Sequence, residues 1–322
     1  MKTATNLFEF DEKPQPLPSC PNCGSNKAVV KFGKRTGRSK TVPRFKCNVC
    51  NKTFTNEPVR HTMHPSAVIA GAITQYNLGY SVKQVASFLK RRYNAKVPEP
   101  TIYDWTRRYA PIATFIPMRN RYDINPRGII YAKKLYHVQI YEFKYHQLKL
   151  NIAAKTFPQL KRYLLEVAST DNSKTFTATK TRCSTFKADL QPSNIRPIKS
   201  NNAIKMTRMA LSLVKHRAKR HEAIEKFFII NDSSTFAVEV PVYVFPEEAP
   251  DLKLTEPLTG HIDIIQYRNG KIYIMDYKPD QDPASASTQL KLYARALSRR
   301  AGIPMANIAT AAFNEAGYVE FQ

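Results

Sequence analysis

Two aspartates and a lysine flank the apolar runs of "HIDIIQYRNGKIYIMDYK", residues 261 to 278. At the centre of this stretch Asn269-Gly270 lies between segments rich in Ile and Tyr, the strongest short-range signal for a two-residue β-hairpin. Such a turn sets the register, so that Arg268 faces Lys271, Ile265 faces Ile274 and Asp263 faces Asp276. Opposed side chains on one sheet face have Cβ atoms about 4.5–5.5 Å apart, and like charges there are destabilising. Alternation places Ile272, Ile274, Asp276 and Lys278 on one face, with His261 opposite Lys278. Two carboxylates and an ammonium converge at the open end of the hairpin. A divalent cation, Mg²⁺ or Mn²⁺, relieves the repulsion, because it prefers carboxylate oxygens and water and can be shared by two carboxylates. Water on such an ion is more acidic, and a nearby lysine can position it or stabilise charge developing on a phosphate. That is equipment for phosphodiester hydrolysis. The alternatives are a register shifted by a bulge, or exposed aspartates paired with surface lysines.

A second chemical constellation lies near the start of the chain. Cys20-x-x-Cys23 and Cys47-x-x-Cys50 supply four soft ligands for tetrahedral Zn²⁺, and a segment this short and polar could hardly fold without the metal. Redox pairs or an iron centre are the other readings of the doubled spacing. Cys183 stands alone and reads as an ordinary thiol.

The elements that must carry these residues follow from periodicity. Between the cysteine pairs, AVVKF and VPRF suit the strands of a zinc ribbon. Residues 65 to 110 shift to helical spacing. Val68, Ile69, Ala72, Ile73 and Tyr76 mark one helix, ended by Asn77-Leu78-Gly79. Ser81 caps a second helix that carries Val82, Val85, Ala86, Leu89 and Tyr93. Pro100 opens a third, with Ile102, Trp105 and Tyr109 on its apolar face. Thr101, Tyr103, Asp104, Arg107 and Arg108 lie off that face, so the three helices form a helix-turn-helix candidate whose Thr101, Tyr103, Arg107 and Arg108 would touch DNA. Trp105 reads as a core anchor. Residues 114–200 offer strand, helix and a basic, loop-rich stretch, and read as a linking region.

Composition bounds the function classes. The chain has 322 residues, 43% of them hydrophobic, enough for two or three globular domains. Fifty Lys and Arg against 25 Asp and Glu give a net charge of +25, spread along the chain, which points to a polyanionic partner and first of all to nucleic acid. No apolar run approaches the roughly 18–20 residues that span a bilayer, no amphipathic segment reads as a lipid anchor, and residues 1 to 20 are mildly acidic where a signal peptide is apolar. The expectation is a cytoplasmic, DNA-associated protein without a membrane partner.

Two resemblances sharpen this reading. The phrase "RFKCNVCNKTFT" closing a CPxC…CxxC ribbon, followed by a helix-turn-helix, resembles the DNA-binding half of certain prokaryotic transposases and implies recognition of duplex DNA by the helix at about 100 to 109. No acidic constellation in 114–200 suggests the catalytic half of such an enzyme. "GHID" at 260–263, "MDYK" at 275–278 and "QLKLYA" at 289–294 resemble, in order and spacing, the G-x-x-D, D-x-K and Q-x-x-x-Y of the RecB-like branch of the PD-(D/E)XK nucleases. His221, in His221-Glu222-Ala223-Ile224-Glu225, matches an upstream H-x-x-(L/I)-E phrase better than His216 does. Glu239 in "FAVEVPVYVF" resembles a weaker motif. The resemblance implies His221, Asp263 and Asp276 as ligands of a catalytic Mg²⁺ or Mn²⁺. It implies Tyr277 as a carbonyl donor at most, Lys278 as the catalytic lysine, and Gln289 and Tyr293 lining the site or touching DNA. Cysteines that would hold an iron–sulfur cluster are lacking after Cys183, and no phosphate loop G-x-x-x-x-G-K-[ST] is present, so neither a cluster nor a fused helicase motor is expected.

The expected architecture is a multidomain α+β protein: a zinc ribbon at 1–60, a helix-turn-helix at 61–113, a basic linking region at 114–200, and at 201–322 an α/β restriction-endonuclease-like domain with a mixed sheet. The expected activity is metal-dependent DNA hydrolysis, more endonucleolytic than end-degrading, with a homodimer as one possible state. The competing reading is a DNA-binding regulator or mobile-element protein whose nuclease fold is inactive.

Overall fold

The computed structural model describes residues 17–18, 20, 22–23, 25, 28–36, 41–55, 63–171, 173–188, 190, 194–198, 201–214 and 216–321. Most of the N-terminal stretch read as unlike a signal peptide lies outside them. Among the described residues no helix is long and apolar enough to cross a membrane. The chain opens with strands β1 (Val29–Thr36), β2 (Thr41–Cys47) and β3 (Thr53–Thr55), then helices α1 (Ser66–Asn77), α2 (Val82–Tyr93), α3 (Glu99–Tyr109) and the short α4 (Ile116–Arg119). Next come β4 (Ile130–His137), β5 (Gln139–His146), α5 (Gln147–Ala153), α6 (Pro158–Ser169), α7 (Ser173–Thr177), β6 (Ile195–Ile198), α8 (Asn202–Leu211) and α9 (Arg220–Asn231). The last elements are β7 (Thr235–Val244), β8 (Leu258–Arg268), β9 (Lys271–Tyr277), α10 (Ser287–Ala301), β10 (Ile308–Phe313) and β11 (Tyr318–Phe321). They divide into two units interleaved along the chain: Met1–Arg127, Lys199–Asp232 and Asn314–Gly317 in one, Gly128–Ile198, Ser233–Phe313 and Tyr318–Gln322 in the other.

In the first unit, β1, β2 and β3 form an antiparallel sheet that carries the cysteines, with AVVKF and VPRF in strands as expected. The three expected helices are α1, α2 and α3. Gly79 ends the first connection with φ +107°, and a Cβ there would lie 2.4 Å from the Ile124 carbonyl oxygen, so only glycine fits this turn. Ser81 closes a capping box with Gln84, each side chain bonding the other's backbone N–H. Trp105 is 4% exposed and meets His64 edge-on, which makes it a core anchor. Helix α1 is buried on nearly every side and packs against α2, α3, α8 and α9. The Asn77 amide donates to Asn231 Oδ1 (2.9 Å), and Asn231 donates to Thr74 (3.1 Å), a buried polar network joining α1 to α9. Residues 202–231, expected in the C-terminal domain, thus complete the helical unit. A central helix apolar all round cannot be covered by two short neighbours alone.

The second unit is built on an eight-stranded sheet of order β4-β5-β7-β8-β9-β10-β11-β6. Every neighbouring pair is antiparallel except β9 and β10, which are parallel and joined through α10. Such a parallel pair requires a crossover, and the helical spacing of Leu290, Tyr293, Ala294 and Leu297 buries α10 on β7, β9 and β10 beside α6. The fold is therefore mixed α+β with a large mixed sheet. The expected linking region is not a linker: β4, β5 and β6 come from it and form both margins of the sheet. Its strands pair with partners far along the chain, which local patterns do not disclose.

Candidate functional site

The hairpin of β8 and β9 forms with the expected register, Ile265 opposite Ile274 and Arg268 opposite Lys271. Asn269 and Gly270 both have positive φ, +50° and +74°, as a type I′ turn demands. The ladder ends at Ile264 with Met275, and the next position brings Asp263 level with Asp276. Here the strands part. The Asp263 Oδ2 accepts the Tyr277 N–H (2.9 Å), and the Lys278 N–H turns to the carbonyl of Phe313, β10's last paired residue (2.9 Å). The side of β8 that β9 leaves is taken by Thr181–Cys183, where Thr259 donates to Thr181 O and Cys183 donates to Thr259 O. The carboxylates thus sit in a fork between two strands, and β7 adds a third: Val238 and Val240 pair with Ile264 and Ile262, so Glu239 is level with Asp263. Glu239 has φ +51°, an uncommon conformation for a residue with a Cβ.

Around the fork the polar groups are linked. Asp276, 2% exposed, lies with Oδ2 2.8 Å from Lys278 Nζ and accepts the Gln289 amide at Oδ1 (3.0 Å). Lys278 donates to Gln289 Oε1 (2.8 Å), which closes a ring of three side chains. Gln289 also donates to the Tyr293 hydroxyl (3.0 Å), one turn further along α10. A Cβ on Gly260 would lie 2.4 Å from the Tyr293 ring, so the glycine of "GHID" makes room for the tyrosine that supports the glutamine. Burial pushes the Asp263 carboxyl up to about 6, against the Tyr277 N–H and Lys278, which pull it down. Burial, with Cys183, Asp263 and Asp276 nearby, raises the Tyr293 phenol well above its usual range, so it stays protonated. Tyr277 is buried beside Phe313 and gives the site its backbone amide. Asp263, Asp276, Lys278, Gln289 and Tyr293 are therefore brought together, with Glu239 alongside in register.

His221 is placed differently from these residues. It is exposed on the first turn of α9, in the first unit. His261 does not face Lys278 as the extrapolated register had it. With β8 and β9 parted at Asp263, its Nε2 lies 2.8 Å from His137 Nδ1, and its ring stacks on Tyr141 at 3.6 Å. His137 stacks in turn on Phe176 at 3.8 Å. Burial lowers both imidazoles, His137 to about 4. This pair was missed because His137 sits in a region without a motif, 124 residues from its partner.

No family model, curated protein or solved structure matches this chain. The site is thus read from its own geometry.

The cysteines form the other site. The four Sγ atoms lie within 4.8 Å of one another, and among the described residues this is the one group of three or more His, Cys, Asp or Glu side chains so closely gathered. Cys20 and Cys50 are 3.6 Å apart, Cys23 and Cys47 3.5 Å. A tetrahedral Zn–S₄ centre with bonds of about 2.3 Å needs edges of about 3.8 Å. The arrangement fits a structural zinc. On α3, Thr101 is half-buried, while Tyr103, Arg107 and Arg108 point outward, the arginines near Asp104 at 3.9 and 3.5 Å.

Proposed function

We propose that the chain is a metal-dependent DNA nuclease of the PD-(D/E)XK type, directed to its substrate by the zinc ribbon and helix-turn-helix. The observation that carries this reading is the closed ring of Asp276, Lys278 and Gln289 beside Asp263 at the fork of β8 and β9. "GHID", "MDYK" and "QLKLYA" meet there, which supports the roles that their resemblance to RecB-like nucleases implies. The donors also suit the ion: Mg²⁺ takes one or two carboxylates and completes its shell with water and substrate phosphate, so it does not need the tight protein cage that a structural zinc has. Asp263 and Asp276 would hold it, and an acid whose desolvation pushes it up to about 6 is one that a cation would settle as its anion. Bound there, the ion supplies Lewis acidity and a more acidic water. Lys278, held by Gln289, directs its ammonium at the attacked phosphate, Gln289 fixes the Asp276 carboxylate, and Tyr293 remains a protonated donor. Glu239, level with Asp263 on β7, would be a further carboxylate, and His221 is the remaining ligand that the resemblance implies. Arg107, Arg108, Tyr103 and Thr101 on α3 would contact duplex DNA.

The ion pair that already neutralises Asp276 favours a second reading, a DNA-binding regulator with an inactive nuclease fold. The deciding experiment is cleavage of supercoiled, linear and single-stranded DNA with Mg²⁺ or Mn²⁺, comparing the parent with Asp276→Ala and Lys278→Ala, each checked for folding and DNA binding. Cleavage lost in both variants with binding retained is the expected result. A folded, zinc-loaded parent that cuts none of these substrates would leave the binding factor.

A further inference from the structure

The two faces of the ribbon sheet differ. Val29, Phe45 and Cys47 are buried with Cys20 and packed by Phe54, so this side forms the small core around the cysteines. On the other side, Phe32 is 48% exposed and Val30 40% exposed. A phenylalanine in the open costs hydrophobic free energy, and here the cysteine-side core already has its aromatics. Two cations lie over the exposed ring: the Arg44 guanidinium carbon is 5.6 Å and the Lys46 Nζ 6.0 Å from its centroid. Arg44 is tethered to Thr53 of the next strand by a 2.9 Å hydrogen bond. A half-exposed ring with two positive charges over it, on the outer face of the ribbon sheet, matches the combination that binds unpaired nucleotides: a ring for the base and cations for the flanking phosphates. Duplex DNA keeps its bases stacked on one another and would offer such a face only phosphate.

We propose that this face of the ribbon binds single-stranded DNA, stacking a base on Phe32 and holding the adjoining phosphates with Arg44 and Lys46. The choice of DNA over RNA rests on the nuclease reading above; the stacking itself does not. A DNA-cutting protein with this surface would engage locally unpaired strand while α3 engages duplex.

The test uses the zinc-loaded full chain without added Mg²⁺ or Mn²⁺, so that binding is measured apart from cleavage. Fluorescence anisotropy is read on a labelled oligothymidylate, on a duplex and on an oligouridylate of equal length. Phe32→Ala, with its zinc content verified, is expected to weaken oligothymidylate binding about tenfold and to leave duplex binding unchanged. Phe32→Trp is expected to restore affinity, and its new indole to be quenched on binding; the natural tryptophan, Trp105, is buried and serves as the reference. Unchanged oligothymidylate affinity in Phe32→Ala, equal losses on single strand and duplex, or an unquenched indole in a binding-competent Phe32→Trp would each overturn the proposal. A loss confined to oligouridylate would overturn the assignment to DNA. A protein that binds single strands through Phe32 but never cleaves would remove the nuclease reading and keep the stacking.

Discussion

Gln289 touches Asp276, Lys278 and Tyr293 at once, so its amide fixes the spacing of the two charged groups that would act on a phosphate. Its loss should be felt in turnover before binding: Gln289→Ala is expected to lower kcat about 10- to 100-fold, the usual cost of removing a supporting hydrogen bond at a metal site, with DNA affinity unchanged in a filter-binding assay. Asp263 carries a pH signature. Its carboxyl stands at about 6 in the folded chain against an ordinary value of 3.8, so without a cation it stabilises the fold fully below pH 3.8 and loses that contribution as pH rises through about 6. Asp263→Asn is therefore expected to match the metal-free parent in Tm near pH 4 and to exceed it above pH 6. In the parent, Mn²⁺ should raise Tm above pH 6 and progressively less below it, because binding must displace the proton. A Mn²⁺ effect that is flat from pH 4 to pH 8 would remove Asp263 from the ligand set.

At the scale of elements, legibility tracks the range of the interactions. Asn269-Gly270 fixed the hairpin register because a two-residue turn is a local device, and Ser81 and Gly79 marked helix ends for the same reason. The paired cysteines were equally plain, since metal ligands advertise themselves by spacing. The fork at Asp263 was not visible: it depends on β10 drawing Lys278 away and on Thr181–Cys183 filling the gap, partners distant in sequence. The positive φ of Glu239 and the recruitment of α8 and α9 to the helical unit were hidden for the same reason. One element-level contact gives a sharp test. In Gly260→Ala the new methyl would meet the Tyr293 ring on buried α10, and overpacking of this kind costs about 1–3 kcal/mol. The variant is expected to melt lower and, because Tyr293 moves with Gln289, to lose more activity than its Tm implies at an assay temperature well below both transitions.

The whole molecule carries a net charge of +25, so the DNA binding proposed above should reflect phosphate contacts more than base contacts. Raising salt from 50 to 200 mM is expected to weaken duplex binding about 10³-fold or more, seen as a straight line of log affinity against log salt. Zinc should be bound at one ion per chain and be lost in Cys47→Ser, as measured by atomic absorption, together with the ribbon's contribution to binding. The order of the large sheet has a further consequence, for synthesis. Its two outermost strands, β4 and β6, precede all the strands between them except β5. A ribosome therefore releases both rims before the middle exists, and the early half must wait with unpaired strand edges until β7 to β11 emerge. Slow maturation and a strong demand for chaperones during translation follow from that order, whatever the finished fold's stability.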